Sequence, residues 1–215
     1  EETAGTVSLT LESEDPDGPC MKNSKTITIT IVPAVTSDAG PDQTICEGSF
    51  ATLAGKLGGA ATGGTWSGGN GPFEPNNTDP NAVYTPSAAE VLAGKVTLKF
   101  TVTNGSNATC PGGMDQMNIF IDKMPTVSAG ADQTICFGEA ASLGGSIGGS
   151  ATSATWSGGT GTFTPNNTTL TAKYKPSAAE MAAGTVTLTL TTNAPGKCSS
   201  KESKTTITIN PIAVI

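Results

Sequence analysis

The chain has 215 residues, a formal net charge of −7 at pH 7, only 13% charged residues and no His. The acidic balance argues against a nucleic-acid partner, which needs a basic face, and against docking on anionic lipid. The missing imidazole removes the commonest general base and metal ligand, and no apolar run approaches the roughly 20 residues that span a bilayer.

In chain order, the first segment is EETAGTVSLTLESEDPDGPC at 1–20, which matches the stretch from Glu90 to Cys110. KTITITIVP at 25–33 then matches KTTITINP at 204–211. Residues 1–35 therefore read as the C-terminal part of a repeat whose front half is absent. The chain starts in mid-repeat and ends on IAVI, where another repeat would begin, so a window on a longer chain is expected. The acidic loop with Glu12, Glu14, Asp15 and Asp17 is read as a solvated surface, because the matching loops at 104–108 and 193–196 lack its carboxylates.

Residues 36–125 form one full repeat and 126–215 another, offset by 90 residues. AGPDQTIC at 39–46 returns as AGADQTIC at 129–136, and TWSGGNGPFEPNNT at 65–78 as TWSGGTGTFTPNNT at 155–168. YTPSAAEVLAGKVTL at 84–98 returns as YKPSAAEMAAGTVTL at 174–188. Of the 63 positions in 38–100, 38 recur, which duplication explains and chance does not. A repeat of this length is the size of one small β-sandwich domain, marginal on core burial alone.

Strand patterns dominate each repeat. TVTLTLTT at 185–192 sets Val186, Leu188 and Leu190 on one face and threonines on the other. Val96, Leu98, Phe100 and Val102, then Met117, Ile119 and Ile121, are the matching inward sets. Period-two alternation with β-branched residues predicts half-buried antiparallel strands, about seven per repeat in two sheets. Gly-Gly pairs mark the turns, as in SGGNG at 67–71. PSAAE at 86–90 and 176–180 begins with Pro and runs to Gly94 or Gly184, which predicts one or two helical turns. The linkers at 32–37 and 123–127 are short and contain Pro, which predicts a semi-rigid string of domains.

Five cysteines are an odd count, and the repeat frame accounts for it. Cys46 and Cys110 fall in one repeat, Cys136 and Cys198 in the next, and Cys20 matches Cys110 and Cys198. The expected disulfides are Cys46–Cys110 and Cys136–Cys198, with the partner of Cys20 outside the chain. Each would be worth about 4 kcal/mol in the chain-entropy model. Disulfides imply an oxidising, extracellular compartment.

Other side chains are weighed between site and scaffold. Trp66 and Trp156 read as core tryptophans rather than sugar-stacking platforms, because large aromatics mostly serve cores. Tyr84 and Tyr174 are expected to pack their rings and tether a turn through the hydroxyl. Asp42 and Asp132 are the candidate calcium ligands; the preferred reading is an Asx-type turn, since one carboxylate per junction is too few for a calcium site. Glu90 with Asp79 is the one acid pair that can be built for hydrolysis, and Thr169 replaces the second acid in the next repeat. The NNT triplets at 76–78 and 166–168 match a glycosylation sequon and are read as polar turns. No catalytic residue is assigned and no cofactor is expected.

AGPDQTIC, GTWSGGNGPF and YTPSAAE together resemble the Ig-like or PKD-like repeats of giant surface adhesins and fibres of gliding, type IX-secreting bacteria. The resemblance covers the whole chain; the WDFGDG-like stretch usual in PKD domains is replaced by TWSGG. It implies secretion, surface attachment, and adhesion or scaffolding. The expectation is thus an all-β chain of tandem Ig-like β-sandwich domains, each of about 90 residues with one disulfide. It would serve as a structural stalk or fibre segment of a very large secreted cell-surface adhesin. The expected partners are neighbouring repeats, other copies in a homo-oligomeric fibre, and a surface glycan or protein. The rival readings are a glycan-binding or spacer module of a secreted enzyme and a cell-envelope lattice protein.

Overall fold

The computed structural model describes residues 5–14, 18, 19, 21–104, 112–193 and 195–211. The chain opens on a hairpin of β1 (Gly5–Glu12) and β2 (Ser24–Ile31), antiparallel, with Val7 opposite Ile29 and Leu9 opposite Ile27. The first full repeat contains β3 (Thr36–Asp38), β4 (Gln43–Cys46), β5 (Ala51–Thr52), β6 (Lys56–Gly58), β7 (Ala61–Ser67), β8 (Phe73–Glu74) and β9 (Val83–Tyr84). After helix α1 (Ala88–Ala93) it closes with β10 (Lys95–Asn104) and β11 (Met114–Asp122). The second contains β12 (Thr126–Ser128), β13 (Gln133–Cys136), β14 (Ala141–Ser142), β15 (Ser146–Gly148), β16 (Ser153–Ser157), β17 (Thr162–Thr164) and β18 (Lys173–Lys175). After helix α2 (Ala178–Ala183) it closes with β19 (Thr185–Asn193) and β20 (Glu202–Asn210).

The two repeats build the same sheets. Four strands run in the order β4-β11-β10-β7 and, in the second, β13-β20-β19-β16. Three-stranded sheets β5-β9-β8 and β14-β18-β17 and the pairs β3-β6 and β12-β15 complete each set. The sequence predicted about seven strands per repeat. Nine are present among the described residues, because the second layer is broken into two- and three-residue pieces too short to show an alternation. Not all pairing is antiparallel, either. β4 lies parallel to β11, and β13 parallel to β20.

Alternation places the core. In β19, Val186, Leu188 and Leu190 are buried while Thr185 and Thr187 face solvent, as the two-residue period of a strand requires. They pack with Trp156 of β16, Tyr174 of β18, Leu143 and Ile207. Residues from both sheets share this cluster, so the repeat is a β-sandwich. Leu53, Trp66, Tyr84, Leu98, Phe100, Met117 and Ile119 occupy the matching buried positions earlier in the chain. In β1 and β2 the same alternation leaves its apolar residues exposed, Leu11 at 78%.

Each helix is set by a capping box rather than by its proline. The Ser177 amide donates to Glu180 Oε2 at 2.7 Å and the Glu180 amide donates to Ser177 Oγ at 3.3 Å. These reciprocal bonds satisfy amides that a helix start leaves open. Ser87 and Glu90 repeat the arrangement in α1. Gly94 and Gly184 then stop the helices at φ 74°, a left-handed conformation that favours glycine.

By contacts the chain divides into two compact units. One holds Glu1–Asp42, Thr52–Thr85 and Thr97–Asn118; the other holds Gln43–Ala51, Pro86–Val96 and Ile119–Ile215. Thus β4, α1 and the end of β11 belong with the second unit, although they lie in the first sequence repeat.

Trp156→Ala is expected to destabilise the second unit by about 3–5 kcal/mol, the usual cost of emptying a fully buried aromatic site. Urea unfolding followed by circular dichroism reads this; a loss below about 1 kcal/mol would mean the ring is not a core element.

Candidate functional site

The site with the most chemistry is a covalent one. Cys46 is bonded to Cys198, with Cα atoms 4.9 Å apart and a sequence separation of 152. Neither bonds its expected partner, and Cys136 carries no disulfide and is exposed. Cys20 and Cys110 lie outside the described residues.

The parallel pairing of each front strand sets this bonding pattern. Cys136 ends β13 and lies opposite Asn210, the last residue of β20. Cys198 lies in the loop that leads into the start of β20 at Glu202. The nine residues of β20 therefore separate the two cysteines by about 26 Å at the usual strand rise. Disulfides need Cα atoms within about 7 Å, so a bond inside the repeat is excluded. Cys46 likewise lies opposite Asp122, where the chain leaves β11, and the β19–β20 loop of the following repeat meets it there.

Backbone and side-chain hydrogen bonds hold this meeting point, all within the second compact unit. Asp122 takes the Lys197 amide on Oδ2 at 2.8 Å, and its carbonyl takes the Glu47 amide at 2.8 Å. Glu47 Oε2 accepts from the Met124 amide at 3.0 Å. Ser150 Oγ donates to the Pro195 carbonyl at 2.9 Å, and its amide donates to the Lys123 carbonyl at 3.2 Å. Gly196 sits at φ 65°, where a Cβ would run into the Asp122 carboxylate. The linker at 122–125 is thus clamped from both sides by short polar contacts and one covalent bond.

The aromatic residues are scaffold. Trp66, Trp156, Tyr84 and Tyr174 are all 0% exposed. Each indole N–H donates to a backbone carbonyl, Trp66 to Pro80 and Trp156 to Leu170, both at 3.2 Å. The ring of Trp66 lies 4.6 Å from that of Phe100. Tyr84 and Tyr174 pack on Phe73 and Phe163 at 4.8 Å, and their hydroxyls accept the amides of Gly71 and Gly161 at 3.0 and 2.8 Å.

The Asn pairs serve those tryptophans. Asn76 Oδ1 accepts from the Thr78 amide at 2.9 Å, Thr78 Oγ1 at 2.7 Å and the Asp79 amide at 3.1 Å, closing an Asx turn. Asn77 then donates to the Trp66 carbonyl at 3.1 Å while its own carbonyl takes the Trp66 amide at 2.7 Å. Asn166 and Asn167 do the same for Trp156. A ladder bond is thereby supplied to the outer strand by a loop.

Asp42 and Asp132 reach beyond their own turns. Asp42 accepts from the amide and side chain of Asn118 at 2.7 and 3.0 Å, and Asp132 from the Thr206 amide at 2.7 Å. They tie the front of a repeat to its last strand. No group of three or more His, Cys, Asp or Glu is arranged to hold a metal among the described residues. Glu90 is 7% exposed and bonded to Ser87, and Asp79 accepts from the Asn81 amide, so each acid is engaged in local structure.

Glu180 joins the helix cap to the core. It accepts from the Ser177 amide, the Thr160 amide at 2.6 Å and the Tyr174 hydroxyl at 2.8 Å. Burial raises its pKa, but these donors outweigh it and hold the carboxyl below its ordinary 4.5. Burial, followed by the bond to Glu180, pushes the Tyr174 phenol up to about 12. The pattern Ser-x-x-Glu is spelled out in PSAAE and marks this cap in the sequence; the Tyr174 contact has no local signal.

The fold is that of tandem immunoglobulin-like domains. The chain is similar to the structure of Sidekick-1 immunoglobulin domains 1–4, with TM-score 0.55, 11% identity, and coverage of 87% of this chain and 55% of that one. It is also similar to extracellular domains 3–5 of Drosophila OTK, with TM-score 0.52, 12% identity, and coverage of 96% of this chain and 71% of that one. At these identities the likeness is one of fold. The chain spans just over half of the Sidekick-1 structure. No protein-family model and no curated protein matches the sequence.

Glu180→Gln is expected to lower stability at pH 7 by about 0.5–1.5 kcal/mol, the net worth of a part-buried hydrogen-bond acceptor. A carboxyl with a lowered folded pKa stabilises above its unfolded value near 4.5 and loses that contribution as pH falls through the folded value. The gap between parent and variant in denaturant midpoint therefore closes on acidification; a gap that stays constant from pH 7 to pH 2 would show that the charge is not what the donors hold.

Proposed function

We propose that the chain is a structural segment of a very large secreted cell-surface adhesin, giving reach and mechanical stability for attachment. In this reading 36–125 and 126–215 are each one Ig-like repeat, and 1–35 is the C-terminal part of a preceding one. The observation that carries the proposal is the Cys46–Cys198 bond, which ties two successive repeats covalently. A catalytic or signalling domain has no need to lock its neighbour in this way; a load-bearing one does. Tension between the chain ends passes through the two sulfurs, and the residues between them are shielded from it. The tandem Ig-like fold supports an extracellular, adhesion-type role, and the low-charge Thr and Gly surface suits side-by-side association of copies. The sequence motifs support an origin in gliding, type IX-secreting bacteria. No helix among the described residues is long and apolar enough to cross a membrane.

A glycan-binding module needs exposed aromatic rings for stacking, and both tryptophans are fully buried. That favours scaffold over lectin. The partners proposed are the neighbouring repeats, other copies of the chain in a fibre, and a glycan or protein on the target surface bound elsewhere in the adhesin.

Single-molecule stretching from the two ends tests the mechanical role. Reducing the chain is expected to lengthen its fully unfolded contour by about 500 Å, from the 152 positions between the linked cysteines at about 3.4 Å each. Equal contour lengths with and without reductant would remove the disulfide from the force path.

A further inference from the structure

We infer that Cys136 is the acceptor for a second cross-repeat disulfide, formed with the β19–β20-type loop cysteine of another Ig-like repeat. The inference rests on the tandem reading above and extends it to a staggered covalent ladder, each front cysteine bonded to the back cysteine of the repeat that follows.

Cys136 stands where Cys46 stands, one repeat later. Each ends a front strand held parallel to the last strand of its own repeat, Cys46 opposite Asp122 and Cys136 opposite Asn210. The next amide is caught in the same way, Glu47 by the Asp122 carbonyl at 2.8 Å and Phe137 by the Asn210 carbonyl at 3.0 Å. The following turn closes alike, with the Ser49 amide on the Cys46 carbonyl at 2.9 Å and the Glu139 amide on the Cys136 carbonyl at 3.1 Å. Gly48 and Gly138 take the same left-handed conformation at φ 82° and 86°. Two things differ: Phe137 stands where Glu47 takes the Met124 amide, and Cys46 has a partner where Cys136 is exposed without one.

The receiving geometry also recurs. At the Cys46–Cys198 junction, Gly149 at φ 66° lies so close to the linker that a Cβ would meet Met124 and Pro125. At the preceding junction, Gly59 at φ 64° stands in the same relation to Ala34 and Val35. The offset is 90 in each case, so the chain makes the same seating twice. Asn210 carries an amide oxygen where Asp122 has the carboxylate that takes the Lys197 amide. A third seating beside Asn210 would bring a loop cysteine to Cys136.

The bond forms by exchange with a small-molecule disulfide of two monothiols, such as oxidised glutathione. The Cys136 thiolate attacks one donor sulfur and releases the first donor thiol. The loop cysteine thiolate then attacks the Cys136 sulfur of that mixed disulfide and releases the second. Two protein thiols become one disulfide, the donor is reduced to two thiols, and the two protons pass to them. The thiol comes either from the next repeat along one chain or from a second copy.

The test uses the full chain extended at its C-terminus by a further copy of residues 126–215. In that copy the lysine before the loop cysteine is changed to arginine as a mass tag, and the front cysteine to serine. The protein is refolded in a glutathione redox pair, alkylated and mapped without reduction. The expected result is a peptide joining Cys136 to the tagged loop at monomer mass, beside the Cys46–Cys198 peptide. Alkylation of Cys136 should fall at least about tenfold from its level in the unextended chain, because the free thiolate is the reacting species. The same linkage at dimer mass assigns the thiol to a second copy. Cys136 fully alkylated while Cys46–Cys198 forms overturns the ladder and leaves the tandem reading standing; loss of Cys46–Cys198 as well overturns both. Cys136→Ser in the extended chain serves as the control: the tagged cysteine should then remain alkylatable, and its continued protection would place its partner elsewhere and overturn the assignment.

Discussion

The parallel pairing of a repeat's front strand with its last strand is the constraint on which the rest of the molecule turns. A parallel neighbour cannot be reached by a tight hairpin, so the whole repeat must be threaded between β4 and β11, and again between β13 and β20. Two consequences follow at once. The sandwich is closed by contacts between residues some 75 positions apart, as in Asp42 with Asn118 and Asp132 with Thr206. The front cysteine is also carried to the end of the last strand, where the chain leaves the repeat. A cysteine there faces forward along the chain, and the disulfide becomes a link between repeats.

Small polar devices keep this arrangement in place where the core alone would be thin. The Asn76–Asn77 and Asn166–Asn167 pairs close a loop and feed the backbone of the tryptophan strand. The Ser-x-x-Glu caps start the six-residue helices, and Glu180 extends its cap to the buried hydroxyl of Tyr174. A bond spanning 152 positions adds about 5 kcal/mol in the chain-entropy model, comparable with the net stability of a small domain. That is more than either bond expected within a repeat would contribute, and it restrains a junction as well as a fold.

Much of the fold could be read from residue order. Val186, Leu188 and Leu190 alternate with threonines, and that pattern alone places a half-buried strand at 185–192. The recurrence at 90 residues announces a tandem architecture. The short strands β5, β8 and β9 have no such signal, since two residues cannot show a period. The cysteine pairing was beyond the repeat pattern because bonds within and between repeats use the same spacing modulo one repeat. Only the direction of β13 against β20 separates them, and strand direction is a tertiary property. Asp42 and Asp132 illustrate the same limit: their loops read as Asx turns, and their partners lie on a strand that the local sequence does not name.

The most direct measurement is non-reducing peptide mapping of the oxidised 215-residue chain. A linked pair of peptides carrying Cys46 and Cys198, with Cys136 recovered as an alkylated thiol, is the result that a cross-repeat bond requires. Linked peptides carrying Cys46 with Cys110 and Cys136 with Cys198 would contradict it, and with it the parallel placement of the front strands.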